Sequence, residues 1–156
     1  MQKAELKNLS RRDFLLTAGV AGLCVVAMAT LPQGANAADI QALIAEHAGA
    51  GTPAMEKVVL EAPEKAESGA AVQLGVKVNH PMEAGNYIES VSIFVEDNPK
   101  PFVGKFEFFP ETGAIDMKIP VKMAKGSQVH VIAKSNSGKL YGVVKKVDVA
   151  EGGCAG

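Results

Sequence analysis

Residues 71–79 read Ala-Val-Gln-Leu-Gly-Val-Lys-Val-Asn, and this stretch decides the fold class. Apolar side chains recur at every second position, with polar ones between them: Val72, Leu74, Val76 and Val78 alternate with Gln73 and Lys77. A period of two places successive side chains on opposite faces of an extended chain. The stretch therefore predicts a β-strand with one face in a core and the other in water.

Other segments on both sides of this strand combine apolar residues with Gly, Pro or Asn turns. They are residues 58–60, 87–96, 102–109, 114–123, 129–134 and 140–149. Strands that recur at roughly 8–12-residue spacing are typical of an all-β sandwich, and we predict about seven of them. Pro120 predicts that its strand lies at a sheet edge or contains a bulge. The polar residues 64–69 are predicted to form a connection.

A short helix is predicted at residues 39–50, inside an N-terminal arm of residues 38–54. Apolar positions and a histidine follow the spacing of one helical face, at Ile40, Leu43, Ile44 and His47. Asp39 is the candidate N-cap of this helix. His47 is interpreted as a packed side chain and not as a ligand.

The first 37 residues have the pattern of an export signal. Residues 10–16 form a twin-arginine motif, an apolar run covers residues 14–31, and residues 35–37 fit a cleavage site. A membrane anchor is the alternative, but no basic stop-transfer cluster follows the run. A lipidated Cys24 is disfavoured because a leucine precedes it. We therefore predict a mature chain that begins at Ala38, crosses the membrane already folded and reaches the periplasm with no membrane anchor.

The charge of the predicted mature chain argues against one class of partner. The signal holds four of the 16 Lys and Arg residues and two of the 17 Asp and Glu residues, so that 12 basic and 15 acidic residues remain, a formal charge of −3. Proteins that bind nucleic acid carry a basic patch or stripe, and this chain has none. We predict no nucleic-acid partner.

The chain ends in Gly152-Gly153-Cys154-Ala155-Gly156, and this cysteine points to a function. Cys24 leaves with the signal, so that Cys154 is the only thiol of the predicted mature protein. In an oxidising compartment a single cysteine is free, joined to another molecule or modified. Its small neighbours bury little apolar surface, which predicts a thin, flexible arm over residues 150–156.

The surroundings of this thiol favour a carrier over an enzyme. The sequence has no Walker A loop, H-E-x-x-H, nucleophile elbow or Cys-x-x-Cys motif. Glu151 and the terminal carboxylate disfavour the thiolate, and we expect them to raise the pKa of Cys154. An extended chain reaches about 20 Å from Asp148 to Cys154. These features predict a non-catalytic arm whose thiol is activated inside the site of a partner enzyme.

A copper centre is the metal-binding alternative for a β-sandwich with histidines and one cysteine. His47, His80 and His130 are far apart in the sequence. The cysteine, second histidine and methionine of a blue-copper site lie close together on one loop, whereas only two residues follow Cys154. We therefore predict no metal site.

Three parts of the sequence together resemble the SoxY family of sulfur carriers. They are the export motif, the segment Asp97-Asn98-Pro99-Lys100-Pro101, which is similar to an N-P-x-P element, and the closing residues 147–156, which are similar to a strand with a G-G-C-G-G end. The resemblance covers nearly the whole chain. It implies an immunoglobulin-like sandwich over residues 55–149.

The resemblance also implies a role for each residue of the tail. Cys154 would hold sulfur or a thiosulfonate covalently, with no other cofactor. The swinging arm would consist of Gly152, Gly153, Ala155 and Gly156. Ala155 departs from the family pattern, which has glycine there, and its methyl group narrows the accessible φ range. We expect the partner enzymes of this protein to have room for that methyl group, or the tail to bind with negative φ.

Partners follow from the same resemblance. It implies a heterodimer with a small SoxZ-like β subunit. It further implies a haem-containing enzyme that joins thiosulfate to the cysteine, a hydrolase that releases sulfate and, in many organisms, an oxidase for the remaining sulfane sulfur. From the residues alone, a binding module that uses Cys154 for an intermolecular disulfide stays open as the alternative. Pro99 and Pro101 favour the shielding of a sheet edge or the shaping of a hairpin over contact with a partner.

Overall fold

The computed structural model describes residues 37–152. These residues form one α-helix and eight strands, and the strands make up two sheets. Helix α1 spans Ala37–His47. The strands are β1 (Val58–Glu61), β2 (Lys65–Ser68), β3 (Val72–Val78), β4 (Ile88–Val95), β5 (Phe102–Glu107), β6 (Ile115–Val121), β7 (Ser127–Ser135) and β8 (Leu140–Glu151). A short 3-10 turn covers Pro110–Thr112. The fold class predicted from the alternation, an all-β sandwich with a short N-terminal helix, is confirmed.

The smaller sheet has the strand order β1-β3-β6, with antiparallel neighbours. The stretch that decided the fold class is its central strand, and all four predicted inward side chains of β3 are buried. Pro120 lies opposite Gln73 on β6. Because β6 is an edge strand, the missing N–H of this proline interrupts no ladder, and the edge prediction is confirmed.

The larger sheet has the order β2-β8-β7-β4-β5. Its neighbours are antiparallel except for β2, which runs parallel to β8. The core lies between the two sheets, where Leu74 and Val76 join Val91, Ile93 and Val131 in one fully buried cluster. Each such side chain contributes about 1.5–3 kcal/mol through its removal from water.

Helix α1 forms a second, smaller apolar cluster with the larger sheet. Its Ile40 and Ile44 pack with Phe94, Ile132 and Leu140. Phe94 and Ile132 alternate with side chains of the main core, so the helix covers the opposite face of this sheet. The predicted packing of His47 is also found, because its ring stacks on Phe102 with 3.8 Å between the ring centroids.

The helix differs from its prediction at both ends. It begins at Ala37, so Asp39 lies within the first turn and is not the N-cap. In the first turn, the negative carboxylate still interacts favourably with the positive end of the helix dipole. The helix ends at His47 and not at Ala50, because the chain turns at Gly49, where φ is 121°. Glycine adopts this left-handed region without a Cβ clash.

The larger sheet contains one strand that was not predicted. Residues 64–69 were expected to be a connection, but β2 forms within them. Three of its four residues are exposed, and Ala66 is half-buried, so no apolar alternation marks the strand. It forms through backbone pairing with β8, and that pairing carries β8 to Glu151, two residues beyond its predicted end at Val149.

Candidate functional site

The structure describes the point from which the C-terminal segment departs. Gly152 is the last described residue, and Gly153, Cys154, Ala155 and Gly156 lie outside the described residues. The attachment role of Cys154, the arm assigned to residues 150–156 and the predicted domain boundaries therefore stay predictions. The position of Gly152 nevertheless fixes where any such arm begins.

The end of β8 is held by β2 as far as Glu151. Asp148 pairs with Lys65, and Glu151 pairs with Ser68. The N–H of Gly69 then donates to the Glu151 carbonyl at 2.8 Å. The predicted reach of about 20 Å starts at Asp148, whereas the backbone of β8 is paired with β2 as far as Glu151, three residues further. Cys154 lies two residues beyond Gly152, which limits its Cα to about 7 Å from that of Gly152.

On its other side, the chain passes very close to the connection between β6 and β7. A Cβ atom added to Gly152 would collide with the carbonyl oxygen of Ala124. Backbone cannot retreat as the end of a flexible side chain can, so no larger residue fits at position 152 without a shift of the chain. A lack of space, and not a left-handed φ, therefore requires glycine here.

The Asn98 side chain makes two hydrogen bonds to the backbone of the β6–β7 connection. Its Nδ2 donates to the Lys122 carbonyl at 2.7 Å, and its Oδ1 accepts from the Ala124 N–H at 2.9 Å. Asn98 is only 8% exposed, and its two partners are 24 and 26 residues away in the sequence. Both ends of one amide thus bracket Met123, whose side chain is fully buried in the main core.

These contacts close into a ring of hydrogen bonds and backbone contacts around the end of β8. The Met123 N–H donates to the Gly69 carbonyl at 2.8 Å, while the Gly69 N–H donates to the Glu151 carbonyl. We call the set Gly69, Asn98, Met123 and Ala124 the exit collar. It joins β2 on one side of the departing chain to the β6–β7 connection on the other.

Charged side chains surround the collar in pairs of opposite sign. Lys125 Nζ lies 2.9 Å from Asp97 Oδ1, and Lys146 Nζ lies 3.0 Å from Asp148 Oδ1. The Asp97 N–H also donates to Ser127 Oγ at 2.9 Å, which ties the β4–β5 loop to the start of β7. Exposed pairs of this kind contribute about 0–1 kcal/mol each, so the buried amide of Asn98 is the stronger restraint.

An open groove lies beside the collar, between β2 and the end of β8. It is lined by Lys65, Glu67, Ser68, Ala150 and Glu151. These residues are exposed, and both signs of charge are present. This groove and the rim of the collar are surfaces beside the point from which the chain departs at Gly152.

The prolines of the Asp97–Pro101 segment shape a hairpin. The Val95 N–H donates to the Pro101 carbonyl at 2.8 Å, which closes the β4–β5 connection. This agrees with the hairpin interpretation of Pro99 and Pro101. The role of Asn98, directly before Pro99, could not be predicted from the sequence, because the groups that it bonds are distant in the chain and carry no signature of their own.

The three histidines do not form a metal site in the described part of the chain. His47 stacks on Phe102, and His80 Nδ1 lies 2.7 Å from the carbonyl oxygen of Pro81. His130 Nε2 lies 3.1 Å from Glu96 Oε2. Within residues 37–152, no group of three or more His, Cys, Asp and Glu residues is placed to hold a metal ion.

The comparisons with known proteins bear on the end of β8 and on the fold around it. A family model described as sulfur oxidation protein SoxY matches residues 43–154, a range that includes both Asn98 and Cys154. The chain belongs to the SoxY family. The family inferred from the sequence is thereby confirmed, while the export motif precedes the matched residues and stays a prediction. A comparison with curated protein sequences found no match.

The solved structures of similar fold include a member of this family. The sulfur carrier protein SoxY from Chlorobium limicola f thiosulfatophilum matches with a TM-score of 0.59 and 28% identity, over 73% of this chain and 98% of that one. A superoxide reductase (neelaredoxin) from Ignicoccus hospitalis matches with a TM-score of 0.54 and 26% identity, over 60% of this chain and 80% of that one. The second likeness concerns the fold alone.

None of the helical structure in the described residues has the length and apolar character needed to cross a bilayer.

Proposed function

We propose that this protein carries sulfur intermediates of thiosulfate oxidation covalently on Cys154. The observation that supports this most directly is the SoxY family match, which runs through residue 154, together with the likeness to a solved SoxY sulfur carrier. Both comparisons support a sulfur carrier role. The collar adds a fixed backbone point two residues before the thiol.

The proposed chemistry has two balanced steps. In the first, the Cys154 thiol and thiosulfate form a sulfur–sulfur bond, which gives Cys–S–S–SO₃⁻, one proton and two electrons that pass to a haem-containing enzyme. In the second, water cleaves the terminal S–S bond of this adduct, which releases sulfate and a proton and leaves Cys–S–SH. The protein itself supplies the attachment atom and its placement, while its partners supply the electron acceptor and the hydrolytic site.

We also propose the partners and the compartment. The SoxY family implies partnership with other Sox proteins. We assign a small SoxZ-like β subunit as a heterodimer partner, together with the conjugating enzyme, the hydrolase and an oxidase for sulfane sulfur. The twin-arginine motif and the cleavage site support folded export to the periplasm. Cell fractionation and the N-terminal sequence of the purified protein test the location, and an uncleaved chain in the cytoplasm would contradict it.

Mass spectrometry of the C-terminal peptide tests the covalent step. Protein from thiosulfate-oxidising cells should carry sulfur or thiosulfonate on Cys154, and a mild reductant should remove it. Tetrathionate provides an enzyme-free standard, since a thiolate displaces thiosulfate from it and forms the same Cys–S–S–SO₃⁻ adduct. The Cys154→Ser variant is the control and should gain neither adduct.

The alternative is an intermolecular disulfide through Cys154. It predicts a covalent dimer that mild reductant converts to monomer, with a tail that never carries extra sulfur. A peptide that is always bare in cells oxidising thiosulfate, despite normal labelling by tetrathionate, would refute the carrier proposal.

A further inference from the structure

The exit collar restrains residues from both sides of the departing chain. Ala124 cannot retreat freely from Gly152, because its N–H is bonded to Asn98 and the preceding residue, Met123, is fully buried. Glu151 is held from the other side by the Gly69 N–H. The backbone at residues 151–152 therefore passes between two fixed groups.

A simpler interpretation is that Asn98 only closes a surface turn. Its burial and its connections argue against that interpretation. The side chain is 8% exposed, and it links the β4–β5 loop to the β6–β7 connection, not to its own turn. Its own N–H donates to the Val95 carbonyl at 3.2 Å, which anchors it to the end of β4. Asn98 thus fixes the backbone of Ala124 relative to the end of β4.

We propose that Asn98 is a positioning residue for Cys154, and that it acts through the contact between Ala124 and Gly152. The amide holds the Ala124 carbonyl against the departing chain, which fixes the point from which the thiol is presented. The existence of the collar does not depend on the proposed function. Only the expected effect on sulfur loading rests on the proposed function.

The restraint changes the volume that the thiol can sample. An arm that begins at Gly152 keeps the Cys154 Cα within about 7 Å of its root, compared with about 20 Å for an arm that begins at Asp148. The corresponding volumes differ roughly 20-fold, so the effective concentration of the thiol at a docked enzyme is higher for the shorter arm. A loosened collar should thus raise the KM for loading more than it lowers kcat.

The decisive experiment compares two asparagines that make the same kind of bracket. Asn98→Ala removes the collar brace, whereas Asn136→Ala removes an amide that joins the Tyr87 N–H to the Gly85 carbonyl. Amide hydrogen exchange of Gly69 is the local readout, because this N–H is bonded to Glu151. Exchange should accelerate by about tenfold or more in Asn98→Ala and stay unchanged in Asn136→Ala.

The functional readout is the loading of Cys154 with thiosulfonate by the haem-containing conjugating enzyme. In Asn98→Ala the KM should rise several-fold, up to roughly 20-fold, while the rate of the enzyme-free reaction with tetrathionate stays that of the wild type. Far-UV circular dichroism checks that the variant is folded, because the tail thiol reacts with tetrathionate whether or not the domain is folded. Unchanged Gly69 exchange, or faster exchange with an unchanged KM, would overturn the positioning role.

A second variant avoids any loss of buried hydrogen bonds. Gly152→Ala leaves Asn98 intact but places a methyl group against the Ala124 carbonyl, and it should also accelerate Gly69 exchange and raise the KM. Gly85→Ala is its matched control, since a Cβ there meets nothing within 4 Å. If the wild-type protein accepts no thiosulfonate from the enzyme while the exchange pattern holds, the proposed function fails and the collar stands.

Discussion

The two ends of β8 are held in different ways. Near its start the strand has neighbours on both sides, because β7 pairs with it and the Gly142 N–H donates to the Ala54 carbonyl at 2.9 Å. The β7 ladder ends at Val147. From Asp148 to Glu151 the described ladder partner is β2, and the exit collar replaces β7 on the other side.

Two asparagines show what this difference means. Asn136 and Asn98 each bracket a loop by accepting from one backbone N–H and donating to one backbone carbonyl. Asn136 is exposed, whereas Asn98 is 8% exposed. The same pair of hydrogen bonds therefore stabilises a surface loop near the start of β8 and the buried part of the exit collar at its end.

The largest expected effect separates these two brackets. Asn98→Ala leaves the Lys122 carbonyl and the Ala124 N–H without their partner at a partly buried site, which should cost about 2–4 kcal/mol of the free energy of unfolding. In Asn136→Ala, water can replace the lost partner of the Tyr87 N–H and the Gly85 carbonyl, so the free energy of unfolding should fall by less than about 1 kcal/mol. Urea denaturation measures both. Equal losses for the two variants would show that the burial of Asn98 has no energetic weight.

A smaller effect is expected at Gly142, where the strand is paired on both sides. A Cβ there would lie 2.9 Å from Ile132 Cδ1 and 3.2 Å from Pro53 Cβ. Gly142→Ala should lower the free energy of unfolding by about 1–3 kcal/mol, because an overpacked site must shift its neighbours. Thermal or urea denaturation tests this, and a variant as stable as the wild type would show that Ile132 adapts at no cost.

Gly152→Ala should have a still smaller effect on global stability, although its clash is the tighter one. The chain end can move away from Ala124, so the free energy of unfolding should change by less than about 0.5 kcal/mol. The effect should appear as local opening at Gly69. A global loss as large as that of Gly142→Ala would mean that the collar is part of the cooperative core and not a separate restraint.

The alternation of apolar residues was enough to predict seven of the strands, and β3, with four inward side chains at alternate positions, is the clearest case. It did not predict every face: in β5 a register shift places Phe102 in the helix-side cluster and Phe106 in the main core. β2 could not be predicted in this way, because Lys65, Glu67 and Ser68 are exposed and its stability comes from backbone pairing with a distant segment. The true length of β8 was missed for the same reason, since β2 is its partner beyond Val147.

The site was predictable only in part. The composition of the tail directs attention to Cys154, and the Asn-Pro segment was noticed as a family element. Its prolines lie in the β4–β5 hairpin, which agrees with one of the two structural roles predicted for them. The amide of Asn98 acts on groups 24 and 26 residues away, which no local pattern reveals. Likewise, Gly152 could be read from the sequence as a tether glycine, whereas its contact with Ala124 needs the folded sheet.

The smallest expected effect lies on the outer face of the smaller sheet, outside the collar. A hydrogen bond from the Lys77 ammonium, 2.8 Å from Glu61 Oε1, holds the pKa of Glu61 below its ordinary value of 4.5. The contribution of this carboxylate to stability is thus present above its unfolded pKa and is lost as the pH falls through the lower, folded one. Because both side chains are exposed, the effect on stability should be slight.

Replacement of Lys77 tests this local origin. Lys77→Gln should raise the pKa of Glu61 towards 4.5, as followed by the carboxyl carbon shift in an NMR titration, since the hydrogen bond and the charge are both removed. Lys105→Gln, on the edge strand β5, is the control and should leave the Glu61 titration unchanged. Neither variant should alter Gly69 exchange, because neither side chain contacts the collar. Faster exchange in Lys77→Gln would mean that the collar responds to charge across the sandwich, and the exit could no longer be treated as a self-contained restraint.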